Sequence, residues 1–412
     1  MPQKGVVMRF FHDFLSRYDL RRAICICAVP LMLMSGCSKD EDITVIVPDE
    51  TTVAETEITT DNETEEKYAG YAFNALSDKD KQLYTLIADA AENHESTVYF
   101  PEPIKWGDFR RLYIAVFRTE AQFFWMSQSI PVIDFEKEIT EAPLGYKYTP
   151  EECKKMTEEI NSAAAPFLES IKDMSDYEKL KAIHDLTVLS NNYVWEDSEH
   201  TGDIYGGMVS HEIRCEGYSK TIKWLCDMAG IENTVADGKS SGISHSWNKV
   251  RCGGQWYNLD ATWDDPVVSS EKIRKETYVR YDYFLIPDSD IMGRTHFRDE
   301  GDYVLDVPEC TATSEGYFWK EKLCASDWSS CKAMLRRASV SAVSEGRANA
   351  EVRFSSAEAY SDAVSRLFGG GEIFSIISYA DSQAGGNVIS SSVYSRSTND
   401  DLMIINISFC YN

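Results

Sequence analysis

Basic residues are scarce in this chain: 41 Lys and Arg stand against 67 Asp and Glu among 412 residues, a formal net charge of −26. Phosphate backbones are gripped by Lys/Arg patches and repelled by a surface of this sign, so nucleic acid is not an expected partner. No two cysteines form a CxxC pair, which argues against a zinc knuckle. Apolar runs are short as well: Ala23 to Met34 is a dozen residues, too few to span about 30 Å of hydrocarbon comfortably. Repeats of 20–50 residues are missing, which removes solenoids. What is present is ordinary for folded soluble protein, with 43% hydrophobic and 26% charged residues. That composition excludes a largely disordered or polytopic membrane chain, and the length favours two or three domains.

Residues 1–36 have the zones of a secretory signal: a basic stretch ending Arg21-Arg22, the apolar run, then Ser35-Gly36-Cys37. The segment Leu33-Met34-Ser35-Gly36-Cys37 resembles a bacterial lipobox, with Met34 where Leu is more usual. Cys37 is therefore the expected lipidation site, and the mature chain is expected to be exported and lipid-anchored to the outer face of the bacterial membrane. Residues 37–67 read as a disordered acidic tether, Thr-rich, with eleven acidic residues against two lysines and no aromatic residue.

Three folded regions are expected beyond it. An α/β lead-in spans 68–150, with a helix from Leu76 capped by Ser77 or Asp78, then RLYIAVF and AQFFWMSQSIPVI as strands or a helix with strands. A middle region spans 151–305: Pro150 opens a helix to about Asp173, with Pro166 a candidate kink, and a second helix covers 176–192. Glu216 to Ala229 follows as a helix ended by Gly230, and a hairpin then runs ISHSWNKV, RCGG, QWYNLDATW. Residues 306–412 form a small α+β domain in the order α-β-α-β-β-β, including IFSIISYA as a strand, with an antiparallel sheet covered on one face.

Cys215, His245 and Asp260 stand out as a set. Thiol chemistry runs through the thiolate, and a cysteine at a helix N-terminus has its thiolate favoured by the macrodipole. Cys215 sits where EIRC turns into its helix, whereas Cys226 lies within that helix as a small buried residue. A two-residue loop at Cys252-Gly253 makes His245 face Asp260 across the hairpin, and a loop at Gly253-Gly254 makes them diagonal neighbours on the same face. Either way a carboxylate can hold the imidazole while its other nitrogen meets the thiol. Of the remaining cysteines, no spacing demands a disulfide.

The runs YGGMVSHEIRCEGYSKTIKWLCDMAGI, SHSWNKVRCGGQWYNLDATWDDP and YDYFLIPDSDIM strongly resemble the bacterial transglutaminase-like superfamily, closely over 176–297. The resemblance implies a papain-like α+β core in which the Cys-bearing helix packs on an antiparallel sheet bearing His and Asp. By the same resemblance, Cys215 matches the nucleophile, His245 the general base and Asp260 the orienting carboxylate. The implied chemistry is thiol acyl transfer on a peptide or carboxamide through a thioester, ending in hydrolysis or in crosslinking to an amine. Expected partners are a protein or peptide substrate at the cell surface and, through Cys37, the membrane; no cofactor or metal is expected. A non-catalytic binding or assembly module on the same fold is the alternative.

Around this set, the Cys215 backbone N–H is the expected oxyanion donor, with Tyr205 or Trp195 as candidates for a second. His211 is read as a surface residue and His184 as a packed core histidine. Asp264 and Asp265 shape the turn after the strand. Trp247, Trp256 and Trp263 are read as either aromatic walls or core.

Overall fold

The computed structural model describes residues 68–131, 133–266, 273–299 and 305–412. The expected signal peptide, Cys37 and the acidic tether lie outside the described residues.

Helix α1 (Asp78–Glu92) begins where the Ser77 hydroxyl accepts the Asp80 backbone N–H. It is followed by strand β1 (Thr97–Lys105), helix α2 (Trp106–Thr119) and strand β2 (Glu138–Pro143), which pairs antiparallel with β1. RLYIAVF is thus entirely helical. Phe109, Leu112, Tyr113, Val116 and Phe117 are all buried, a spacing of three to four that only a helix puts on one side. AQFFWM forms no strand, and Met126 makes a single bridge to Tyr146.

Two long helices come next, each started by a capping box: α3 (Pro150–Ile171) by Thr149 and Glu152, and α4 (Asp176–Ser190) by Ser175 and Glu178. Pro166 lies inside α3, which runs through it. Helix α5 (Cys215–Met228) then leads into an antiparallel sheet of β3 (Asn233–Ser240), β4 (Ile243–Cys252), β5 (Gln255–Leu259), β6 (Phe284–Ile286) and β7 (His296–Arg298). The strand order is β6-β5-β4-β3-β7, and α5 packs on β3 and β4. The architecture is α+β, with the Cys-bearing helix against the sheet, as expected.

The β4–β5 hairpin takes the second of the two expected registers. Cys252 pairs with Gln255 and Asn248 with Leu259, so the loop is Gly253-Gly254. Both glycines have positive φ, +56° and +82°. Tight hairpins favour a turn with two left-handed residues, which a Cys252-Gly253 loop would have forced on a cysteine.

After β8 (Cys324–Ala325) come helix α6 (Trp328–Ser344), β9 (Asn349–Phe354), α7 (Ala357–Val364), α8 (Glu372–Gln383), β10 (Ile389–Asn399) and β11 (Ile404–Tyr411). IFSIISYA is therefore helix, contrary to its reading as a strand. Ile373, Ile376, Ile377 and Ala380 are its buried residues, and their helical spacing outweighs the strand preference of β-branched isoleucine. The sheet runs β8-β9-β11-β10, with β8 parallel to β9.

Nor is that sheet covered on one face only. Helices α6 and α8 pack on one side, while every residue of β9 is buried. On the other side the Tyr278 hydroxyl donates to Asn406 (2.9 Å), Asn349 donates to the Val279 carbonyl (2.9 Å), and the Tyr281 N–H donates to Glu351 (3.2 Å). Strand β9 therefore carries polar residues toward the chain that leads into β6. The polar alternation that would mark a solvent face marks a polar internal contact here.

Candidate active site

Cys215 is the first residue of α5, and Arg214 at the N-cap provides no side-chain hydrogen bond. The leading N–H groups of the helix, which have no intrahelical acceptors, thus open beside the thiol. Cys215 is half-buried. Among the other described cysteines only Cys324 is also half-buried; the rest are enclosed, and burial pushes Cys153 to about 11, Cys252, Cys310 and Cys331 to about 12, and Cys226 higher still. No described cysteine is in a disulfide.

His245 lies on β4 with Gly238 of β3 opposite it. Its Nε2 is 2.7 Å from Asp260 Oδ2, which leaves Nδ1 for the hydrogen bond that the imidazole shares with the Cys215 thiol. Burial alone pushes this imidazole down, but the Asp260 carboxylate and Cys215 outweigh it, and its pKa rises to about 10. Asp260 caps the one-turn helix Ala261–Asp264, its Oδ1 accepting the Thr262 and Trp263 N–H groups at 3.0 and 3.2 Å. Burial pushes its carboxyl up. The His245 charge and the hydrogen bonds from His245 and His296 prevail, holding it below the ordinary carboxylate range. Cys215, His245 and Asp260 are thus joined in one contact series, although Asp260 lies just beyond β5 and not in a directly facing pair.

Two further residues join the site without having been found in the sequence. His296, on β7, places its Nε2 2.8 Å from the same Asp260 Oδ2 and is fully buried. Nothing in its local sequence, GRTHFRD, marks it, because β7 reaches Asp260 only through its pairing with β3. Arg118, from α2, sets Nη1 3.1 Å from Glu216 and Nε 3.5 Å from Asp237, and its charge acts on Cys215. The lead-in region thereby contributes to the surroundings of the thiol.

The Tyr205 hydroxyl donates its proton to Glu159 at 2.7 Å, and so is already committed. Trp195 is 78% exposed and sits edge-on to Tyr193. His211 is half-buried rather than at the surface; it ends a π-helical turn with a left-handed backbone, and burial lowers its pKa. His184 is a core histidine, bonded to Asp185 and Asp264. Asp264 does more than shape a turn: it is fully buried and also accepts the Tyr283 N–H. Asp265 accepts the Tyr218 hydroxyl at 2.6 Å and pairs with Lys275. Trp247 is core, its indole N–H on Asn258 and its ring stacked near His245. Trp256 packs on Tyr71, and Trp263 on Tyr283 and His296.

His245, Asp260 and His296 bring one nitrogen or oxygen each within 4.8 Å of one another, a spacing compatible with a cation. Here those atoms are joined by hydrogen bonds instead. A thiol at a helix N-terminus, an imidazole and a buried carboxylate in series can activate sulfur as a nucleophile and return a proton to a leaving group.

No family model matches the sequence. A stretch of 111 residues, 24% of this chain, is 23% identical to the kyphoscoliosis peptidase of Mus musculus and equally to that of Homo sapiens. The chain spans only 17% of the length of these curated relatives. A solved structure described as a TGase is similar over 48% of this chain and 50% of its own, at 16% identity and a TM-score of 0.26.

Proposed function

We propose that this chain is an exported transglutaminase-like thiol acyl-transfer enzyme, with Cys215 as nucleophile, His245 as acid and base, and Asp260 as the carboxylate that orients His245. The observation supporting this reading is the contact series from the Cys215 thiol through His245 to Asp260 Oδ2. His245 takes the thiol proton, and the thiolate adds to the carbonyl of a peptide or carboxamide. The oxyanion forms beside the open N–H groups of α5. His245 then protonates the nitrogen, the C–N bond breaks, and amine or ammonia leaves a thioester on Cys215. Water or a primary amine, deprotonated by His245, attacks the thioester and restores the thiol. Water as acceptor gives hydrolysis; a lysine amine gives an isopeptide crosslink.

Labelling with a thiol-reactive amide probe tests the nucleophile. Cys215→Ala is expected to abolish it and Cys226→Ala to leave it intact; equal labelling of the two variants refutes the assignment. Incubation with a Gln-containing peptide and a primary amine separates the outcomes. Ammonia release alone means hydrolysis, amine incorporation means crosslinking, and peptide cleavage means proteolysis. The membrane placement rests on the lipobox-like residues 33–37; partition of the full chain into detergent should be lost in Cys37→Ala, and unchanged partition refutes the anchor.

A further inference from the structure

Asp260 accepts four hydrogen bonds. Oδ1 takes the two backbone N–H groups of Thr262 and Trp263, and Oδ2 takes Nε2–H from both His245 and His296, at 2.7 and 2.8 Å. We propose that His296 is a positioning residue for the reaction: it occupies the second lone pair of Asp260 Oδ2, so that the carboxylate can neither rotate nor take a proton while it holds His245. This rests on the reading of Cys215, His245 and Asp260 as the reacting set.

Several features of the fold converge on that one hydrogen bond. Strand β7 has three residues and lies at the sheet edge, where it pairs Ser240 with His296 and Gly238 with Arg298. A Cβ on Gly238 would fall 2.0 Å from the Phe297 carbonyl oxygen, so only glycine lets β7 come close enough to seat His296. The far nitrogen, Nδ1, is 2.8 Å from the Thr295 hydroxyl, which fixes the ring from its other end. Trp247, Trp263 and Tyr283 surround the imidazole at 5.0, 5.4 and 5.9 Å between ring centroids. Among the described residues no other side chain donates to Oδ2. Without His296, the anion loses one of its four donors in a place that water does not easily refill, and Asp260 is less able to stay ionised beside His245.

A purely structural histidine would stabilise the fold through the same packing, so the test must read chemistry at Cys215. Glutamine carries its amide nitrogen where His Nε2 stands, whereas asparagine is one bond shorter and falls short of Oδ2. The full chain and its His296→Gln, His296→Asn and His296→Phe variants would be alkylated with iodoacetamide across pH 4–9, and the Cys215 peptide quantified by mass spectrometry. Expected results are a rate at pH 6 that falls by about tenfold in the Asn and Phe variants, the effect of losing a hydrogen bond to a charged group. The acid limb of the profile moves to higher pH in both, and His296→Gln recovers most of the parent rate.

If the Asn and Phe variants melt at lower temperature but alkylate with the parent profile, or if Gln behaves as poorly as Asn, His296 is structural and the proposal is overturned. Should Phe fail to fold, the Gln–Asn comparison decides alone; should Asn fail as well, Gln decides, with parent-like alkylation supporting the proposal and a displaced acid limb overturning it. A parent in which Cys215 reacts no faster than the buried thiols refutes the reading of the reacting set itself, whatever the variants do.

Discussion

His184 Nε2 lies 3.1 Å from Asp264 Oδ2, and both side chains are fully buried. The pair ties α4 to the turn that follows Asp260, four residues after the carboxylate that holds His245. Burial pushes the Asp264 carboxyl up to about 7 against the pull of His184. Burial pushes His184 down, but Asp185 and Asp264 outweigh it and raise its pKa. Both groups therefore bind protons more tightly in the folded chain than in the unfolded one.

The sign of the stability effect follows by linkage. Between about 4 and 7, folded Asp264 keeps a proton that its unfolded counterpart has lost, so stability falls as pH rises. The His184 contribution is fully present below its ordinary value of 6.5 and is lost at higher pH. One such proton changes stability by at most about 1.4 kcal/mol per pH unit. Urea unfolding of the parent and of Asp264→Asn between pH 4 and 8 checks this: the difference between them should shrink the downward slope between pH 4 and 7. An identical slope in the two proteins contradicts the role of Asp264.

Arg118 joins Glu216, the residue after Cys215, to Asp237, the residue before Gly238. Arg118→Met leaves two carboxylates near the thiol without their shared cation, and like charge disfavours the thiolate. Alkylation of Cys215 at pH 7 should slow by about tenfold, the scale of a nearby charge. Arg118→Lys should stay near the parent rate. Equal rates in all three proteins would show that the charge of the lead-in region does not reach the sulfur.

Gly254 should be sensitive to a side chain through its backbone alone, because a Cβ there meets nothing within 4 Å, whereas a Cβ on Gly253 would make ordinary contact with the Glu315 side chain at 3.5 Å. Gly254→Ala forces an L-residue into a left-handed conformation and should cost about 1–2 kcal/mol. Gly253→Asn should cost less, because asparagine suits that turn position. Midpoints of urea unfolding provide the comparison, and a parent-like midpoint for Gly254→Ala would mean that the hairpin turns elsewhere.

Much of the site was legible because its parts are local. Cys215 announces itself as the residue at which a loop becomes a helix, and hairpin periodicity puts His245 and Asp260 on one side whichever two residues form the turn. The helices at 78–92, 150–171 and 176–190 carry their own caps in Ser77, Thr149 and Ser175. IFSIISYA shows where a local preference misled: isoleucine suits strands, but buried positions at 373, 376, 377 and 380 wind as a helix.

What no local pattern could specify depends on chain segments that meet only after folding. The choice of Gly253-Gly254 over Cys252-Gly253 follows from the backbone angles that a tight hairpin needs. Arg118 precedes Glu216 by almost a hundred residues, and His296 follows Asp260 by 36. The polar face of β9 meets Tyr278 and Tyr281 only once both regions are folded. The sequence by itself determined which groups can do the chemistry and which short elements carry them, because helix starts, caps and strand alternation are written in neighbouring residues. Only the tertiary structure decided which distant charges and donors surround those groups, because burial and hydrogen-bond partnership are properties of packed space and not of chain order.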